Sequence, residues 1–286
     1  MKKTIIILSL ILIAVSVVLS MLGSGGEFAA EKLFYRAMNT NSKIVANPDV
    51  APPPLLTRVE NDLKTLIAKY PGAKITRIAN IALVEFYTAN KQYNKALDGI
   101  SSIMKAYNSD EIIMSTVYFM KGVVHEKQND WPGALKEFEI LRDKYPYSQL
   151  GIQIPIYIAK YYDSKGQDQE ARSAYNEARS FYMNIEKDHS GKRAGFAAST
   201  LLFQTYINTR NYEEAGRVLE DTINTYMGQP AVLQLLPQVE NVFVTKLNDP
   251  QKAVEIYKNI SGKIRDGKLK KALQKKIDEL SVKKPG

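Results

Sequence analysis

Hydrophobic and polar residues alternate along most of this chain with a spacing of three to four residues, which is the period of an amphipathic α-helix. Short polar turns interrupt the pattern, and it resumes after each of them. From Ile75 onward, each interruption separates two segments of helix length, and the second segment carries an alanine near its start. The pattern therefore predicts an all-α chain that is built from repeated helix pairs.

The alanines mark a common register, because all five turns align on them. They are Ala96, Ala134, Ala171, Ala215 and Ala253, and successive marks are 38, 37, 44 and 38 residues apart. A small residue is expected at this point because two helices joined by a short turn approach most closely beside it. We assign the differences between the spacings to loops.

The N-terminus predicts a membrane segment. Two lysines precede an uncharged run from Thr4 to Leu22, which as a helix would be roughly 28 Å long, close to the thickness of the bilayer interior. The preceding lysines place the N-terminus in the cytoplasm and the remaining chain in the periplasm. We expect a single-pass anchor in a bacterial inner membrane. The small residues Ser24-Gly25-Gly26 leave the alternative of a cleaved signal peptide and a periplasmic or secreted protein.

Composition narrows the chemistry that is available. The chain has no cysteine, so disulfides, thiolate metal sites and a lipid-modified N-terminal cysteine are excluded. Neither histidine has the neighbours of a metal or acid-base site, and His125 is predicted to pack in the core. We therefore expect no enzyme activity, no cofactor and no metal.

The net charge of +9 is concentrated at the C-terminus, where residues 263–286 contain nine basic and three acidic residues. Leu269, Leu273, Ile277 and Leu280 share one face of this segment, so we interpret it as a capping helix with a solvated basic face. No nucleic-acid-binding motif accompanies it, and no nucleic-acid partner is expected.

The second helix pair resembles a tetratricopeptide repeat. Its residues match six positions of that motif in order: Tyr118, Gly122, His125, Ala134, Phe138 and Pro146. The resemblance implies a right-handed superhelical solenoid of antiparallel helix pairs that binds other proteins or peptides. With its N-terminal apolar segment, the chain is similar to the membrane-anchored ancillary subunit of the Sec translocon. It is also similar to the repeat lipoprotein of the barrel-assembly machine, although the absence of cysteine departs from that family.

The predicted organisation has four parts. They are a signal-anchor and linker at 1–26, an N-terminal helix pair at 27–72, about five repeats at 73–262, and the basic capping helix at 263–286.

In the repeat family, the first helix of each pair lines a concave groove. Carried over to this sequence, the groove positions are Glu85, Thr88, Thr116, Phe119, Val123, Glu126, Gln153, Ile156, Lys160, Thr200 and Gln204. The resemblance implies a non-enzymatic scaffold or adaptor of the cell envelope, in protein export or envelope assembly. The alternative is a cell-wall-associated factor that binds glycan or wall-synthesis enzymes, for which an exposed aromatic patch would be diagnostic.

Overall fold

The computed structural model describes residues 26–45 and 53–282, which are helical apart from short connections, with no strand among them. The α-helices are α1 (26–45), α2 (Pro53–Lys69), α3 (Lys74–Ala89), α4 (Tyr93–Ala106), α5 (Glu111–Lys127), α6 (Trp131–Lys144), α7 (Ile154–Ser164), α8 (Asp168–Asp188), α9 (Arg193–Asn208), α10 (Tyr212–Tyr226), α11 (Leu236–Val239), α12 (Pro250–Lys263) and α13 (Gly267–Ser281). Two 3₁₀ turns, Gly151–Gln153 and Pro230–Leu235, and one π-helix, Glu240–Lys246, complete the described structure. The all-α prediction is confirmed.

The membrane segment predicted at residues 4–22 lies outside the described residues. Across the two described ranges, no helix is both long enough and apolar enough to cross a membrane.

The chain divides into two compact units, and the division falls inside α6 between Phe138 and Glu139. Unit 1 contains α1 to α5 and the first part of α6, and unit 2 contains the rest. Unit 1 has a core to which α1, α2 and α4 contribute Ala37, Leu63 and Ile100. A separate buried cluster in unit 2 joins α10, α12 and α13. Each unit therefore buries apolar side chains of its own.

Five helix pairs follow α2, and we call the first member of each pair its A helix and the second its B helix. Pairs one to four are α3–α4, α5–α6, α7–α8 and α9–α10. The fifth pair joins residues 230–246 to α12. All five register alanines are buried at the start of their B helices, as the sequence pattern predicts.

The turns inside the five pairs share a left-handed residue, and four of them share one hydrogen-bond pattern. Five residues before every register alanine, the backbone is left-handed, with φ between 52° and 67°, at Lys91, Asn129, Gly166, Arg210 and Asn248. In pairs one to four, the next backbone N–H donates to the carbonyl five residues earlier, as Gln92 does to Tyr87 at 2.8 Å. These are the features of a Schellman C-cap. They end the A helix and allow the B helix to begin after only three residues.

The long spacing of the third interval comes from a helix and not from a loop. Helix α8 has 21 residues, whereas α4 and α6 have 14 each. Tyr182 and Ile185 continue the buried stripe of this helix through the additional turns. The assignment of this difference to a loop was wrong, because apolar residues at helical spacing keep α8 packed beyond the length of the other B helices.

The last helix, α13, closes unit 2. Its N-cap, Asp266, accepts hydrogen bonds from the backbone N–H groups of Lys268 and Leu269 at 2.8 and 3.0 Å. Leu273, Ile277 and Leu280 lie on one buried face. The lysines occupy other faces, which keeps this end of unit 2 in contact with water.

Candidate protein-binding face

Helices α3 and α5 of unit 1 lie side by side and run in the same direction. Near their N-terminal ends, a guanidinium nitrogen of Arg77 lies 2.9 Å from a carboxylate oxygen of Asp110. At the other end of α5, the hydroxyl of Tyr93, the first residue of α4, donates to the carbonyl of Lys127, the last residue of α5, at 3.1 Å. The first contact joins α3 to α5 directly, and the second joins α5 to α4, the helix that follows α3.

One surface of this helix pair carries nine residues at helical spacing, and we call it the A-face. Its members are Ile78, Ile81, Glu85 and Thr88 of α3 and Ile112, Thr116, Phe119, Val123 and Glu126 of α5. None of them is buried, and Ile78 and Ile112 are 51% and 78% exposed. Six of the nine were predicted as groove residues from the repeat register. The structure brings these six together.

The isoleucines Ile78, Ile81 and Ile112 were not predicted. Each continues the three- and four-residue spacing of the predicted positions toward the N-terminal ends of the helices. That spacing was the available signal, but an isoleucine on an amphipathic helix is usually a core residue. Because neighbouring apolar side chains on one exposed surface mark interaction sites more often than single ones do, their grouping carries the functional information.

The start of α5, which carries the most exposed residue of the A-face, is capped by a side chain. The carboxylate of Asp110 caps α5 by accepting from the backbone N–H groups of Ile112 and Ile113, both at 3.1 Å. The bond from Ile113, with the charge and hydrogen bond of Arg77, lowers the pKa of Asp110 from its ordinary value. Farther along, the Phe119 ring lies 5.9 Å from the ring of Phe138 and is held against the core. The face is therefore formed before any partner binds.

One charged residue of this face stands out chemically. Glu85 makes no hydrogen bond or ion pair with another described residue, and desolvation raises the pKa of its carboxyl. Ile81 lies one turn before it and Thr88 one turn after it on the same surface. Glu85 is exposed as a residue, yet the packing around its carboxyl removes part of the water there, and the described chain supplies no counter-charge.

In unit 2, the predicted groove residues divide between α9 and the region of α7. Thr200 and Gln204 are half-buried on α9, while Gln153 and Lys160 are exposed. Ile156 is only 6% exposed, so its prediction as a groove residue was wrong. Its backbone N–H belongs to the first turn of α7, which has no intrahelical acceptor, and donates to the Tyr182 hydroxyl at 3.2 Å. This bond draws the turn toward α8.

His125 also differs from its prediction as a core residue. Its side chain is half-buried, and its Nδ1 lies 2.9 Å from a carboxylate oxygen of Asp130. The other oxygen of Asp130 accepts from the backbone N–H of Gly133 at 3.0 Å and caps α6. His125 therefore braces the turn of pair two.

Neither of two open clefts among the described residues is lined by a predicted groove residue. One, of about 430 Å³ in unit 2, lies among α6, α7 and α8 and includes Arg142, Ile158 and Phe181. The other, of about 420 Å³, lies at the turn of pair one beside Gln128. Within the described ranges, no three or more histidine, aspartate or glutamate side chains are grouped to hold a metal ion.

Comparison with known proteins gives one family match. Residues 116–148 match the tetratricopeptide repeat model. No curated protein matches. Similar solved structures include a tetratricopeptide repeat protein from Parabacteroides merdae, at 14% identity and TM-score 0.38, covering 87% of this chain and 99% of that one. BtubC from P. vanneervenii has 11% identity and TM-score 0.35, with 91% and 94% covered. The family match confirms the resemblance predicted for pair two and supports a tetratricopeptide repeat at residues 116–148.

Proposed function

We propose that this protein is a non-enzymatic scaffold that binds partner proteins or peptides through the A-face. The observation that carries the proposal is the exposure of Ile78 and Ile112 beside half-buried Ile81, Phe119 and Val123, on helices that an ion pair joins near their N-terminal ends. Protein interfaces have this composition, with an apolar centre and a polar rim. Glu85, Thr88, Thr116 and Glu126 supply the rim.

Site-specific photocrosslinking in cells tests this proposal. A photoreactive amino acid is placed at positions 78, 112 and 123, and at 101 as a control, since Ser101 is exposed on the B helix α4. We expect the three A-face positions to capture the same protein and position 101 not to capture it. The double substitution Ile78→Ser and Ile112→Ser should abolish capture at position 123, because it removes the apolar contact area.

An equal yield of the same protein from position 101 would overturn the proposal, as would capture that survives the double substitution. Circular dichroism of the substituted chain provides the folding control. Both isoleucines are exposed, so their replacement should leave unfolding nearly unchanged.

For the location, we propose a single-pass inner-membrane protein anchored by residues 4–22, with the helix pairs in a right-handed superhelix in the periplasm and a role in export or envelope assembly. The uncharged run after two lysines supports the anchor and its orientation. N-terminal sequencing of the membrane-bound chain, with protease added to spheroplasts, tests both points. A mature chain that begins near Glu27 would instead establish signal cleavage and a periplasmic or secreted protein.

A second candidate function rests on α1. Phe28 and Tyr35 are 69% and 72% exposed and lie two turns apart on one side of that helix. Exposed aromatic rings stack on sugars, and such a patch would favour a cell-wall factor. Co-sedimentation with purified sacculi tests this role. Retention that is lost in Phe28→Ala and Tyr35→Ala, but kept in the Ile78→Ser and Ile112→Ser chain, would favour glycan binding over the A-face scaffold.

A further inference from the structure

The A-face changes along α3 from apolar to negatively charged. Ile78 and Ile81 occupy its N-terminal part, and Glu85 follows one turn later. Seven residues of α-helix separate Ile78 from Glu85, so apolar contact and negative charge lie about 10 Å apart along the helix. A ligand that satisfies both features must carry its own apolar and charged groups at about the same separation.

The charge on Glu85 identifies the kind of group that it would bind. A partly desolvated carboxylate without a counter-charge is destabilised, and desolvation raises the pKa of this one. Neighbouring carboxylates already form ion pairs within the chain: Asp110 is paired with Arg77, and Glu60 with Lys64 and Lys95. A lysine or arginine of a ligand would supply the missing counter-charge, whereas an acidic ligand would be repelled.

We infer that the A-face binds a peptide segment in which aliphatic residues are followed, about two helical turns later, by a lysine or arginine that pairs with Glu85. The inference rests on the proposed function, because the segment occupies the same face. In a helical segment, aliphatic residues at positions one and four and a basic residue at position eight match Ile78, Ile81 and Glu85. The ligand thus has a defined composition and spacing, and this order is that of a segment parallel to α3.

Two labelled probe peptides test the inference with the full chain. Both are alanine-based helical peptides with leucine at positions one and four; one has lysine at position eight and the other glutamate. Fluorescence anisotropy should show binding of the lysine peptide about fivefold tighter than binding of the glutamate peptide, as expected when an exposed ion pair is compared with an exposed pair of like charges. Glu85→Gln should remove this preference, and Glu85→Lys should reverse it.

Glu213→Gln is the matched control, since Glu213 is an exposed glutamate near the start of α10, outside the A-face. It should leave the preference unchanged. Equal affinity for the two peptides, no binding of either, or a preference that survives Glu85→Gln would overturn the inference. The proposed function fails separately: crosslinking at positions 78, 112 and 123 does not depend on Glu85, so a partner can still be captured there when the charge preference is absent.

Discussion

The second and fifth helix pairs differ at one position of the A helix that packs against the B helix in pair two. In pair two, Gly122 lies twelve residues before the register alanine, and the ring of Phe138 packs against it so closely that a Cβ would overlap the ring. In pair five, the same position is Asn241, and Tyr257 takes the place of Phe138. The A helix of pair two is an unbroken α-helix, whereas that of pair five becomes a π-helix at Glu240–Lys246.

The π-helix of pair five is stabilised by groups that pair two does not need. The Tyr257 hydroxyl lies 3.2 Å from both the Leu236 carbonyl and a carboxylate oxygen of Glu240. Burial and the charge of Glu240 raise the pKa of Tyr257 above its usual range. On α10, Gly216 admits the ring of Phe243, which a Cβ would approach to 3.0 Å. A small residue on the A helix and a hydroxyl on the B helix are therefore alternative ways to pack a pair.

The largest expected effect is the loss of stability when Gly122, the small residue of pair two, is replaced. Gly122→Leu should lower the free energy of unfolding by about 3 kcal/mol, because the new side chain must displace Phe138 from a closely packed site. Leucine is a better helix former than glycine, so the loss measures packing. Urea unfolding followed by circular dichroism gives the value. Asn241→Leu is the matched control, and it should cost less than about 1 kcal/mol because that site is half-buried and already holds a side chain of similar size.

The next largest loss of stability is expected on removal of the Tyr257 hydroxyl in pair five. Tyr257→Phe should cost about 1–2 kcal/mol, because it keeps the ring but removes the donor to the Leu236 carbonyl. Tyr212→Phe is the control, since that half-buried ring has no hydrogen-bonded hydroxyl among the described contacts. Surface substitutions usually change the free energy of unfolding by less than about 0.5 kcal/mol. A cost below that value would show that pair five does not need the hydroxyl of Tyr257.

The same tyrosine predicts a pH dependence. Its pKa in the folded chain is raised above the ordinary value of 10.0, so its stabilising contribution is complete below pH 10 and is lost as the pH rises through the folded pKa. The difference in unfolding free energy between the natural chain and Tyr257→Phe should therefore narrow above pH 10. A difference that widens there would contradict the burial of this hydroxyl.

Much of the fold could be predicted because the repeats obey local rules. The register alanines and polar turns defined the helix pairs, since a short turn requires close approach at a known position. The π-helix could not be predicted from Asn241 alone. It depends on how Tyr257 and Phe243 pack against neighbouring helices, and those contacts cannot be read from the sequence. Tyr182, in contrast, is eleven residues after its register alanine, as are Tyr107, Tyr145 and Tyr226, and this recurrence was visible in the sequence.

The candidate site was predictable in part for the same reason. Repeat register located Glu85, Thr88 and four positions of α5, because helix periodicity fixes which residues share a surface. It failed at Ile156, where the hydrogen bond between a backbone N–H and Tyr182 holds the start of α7. Repeat register also left out Ile78 and Ile112, because a sequence does not distinguish an apolar residue that packs in the core from one that is exposed on a binding surface.

The turns of pairs two and five share a left-handed asparagine five residues before the register alanine, and its effect should be equal in both. Asn129→Ala and Asn248→Ala remove the side-chain amide from left-handed residues with φ of 62° and 52°. Each should lower the unfolding free energy by about 1 kcal/mol, since alanine lacks the side-chain amide with which asparagine tolerates this conformation. Chemical denaturation of both variants checks the equality. If only Asn248→Ala were costly, the turn and the π-helix of pair five would have to be coupled.

The smallest expected effect is an increase in the free energy of unfolding. Lys91 is left-handed, with φ of 57°, at the turn of pair one, where glycine occupies the equivalent position of pair three. Lys91→Gly should raise the unfolding free energy by about 0.5 kcal/mol, because relief of the steric cost exceeds the extra entropy that glycine gives the unfolded chain. Gly166→Ala is the reverse substitution and should lower it. A Lys91→Gly chain that unfolds at lower urea concentration would mean that the lysine side chain stabilises the turn by more than its backbone conformation costs.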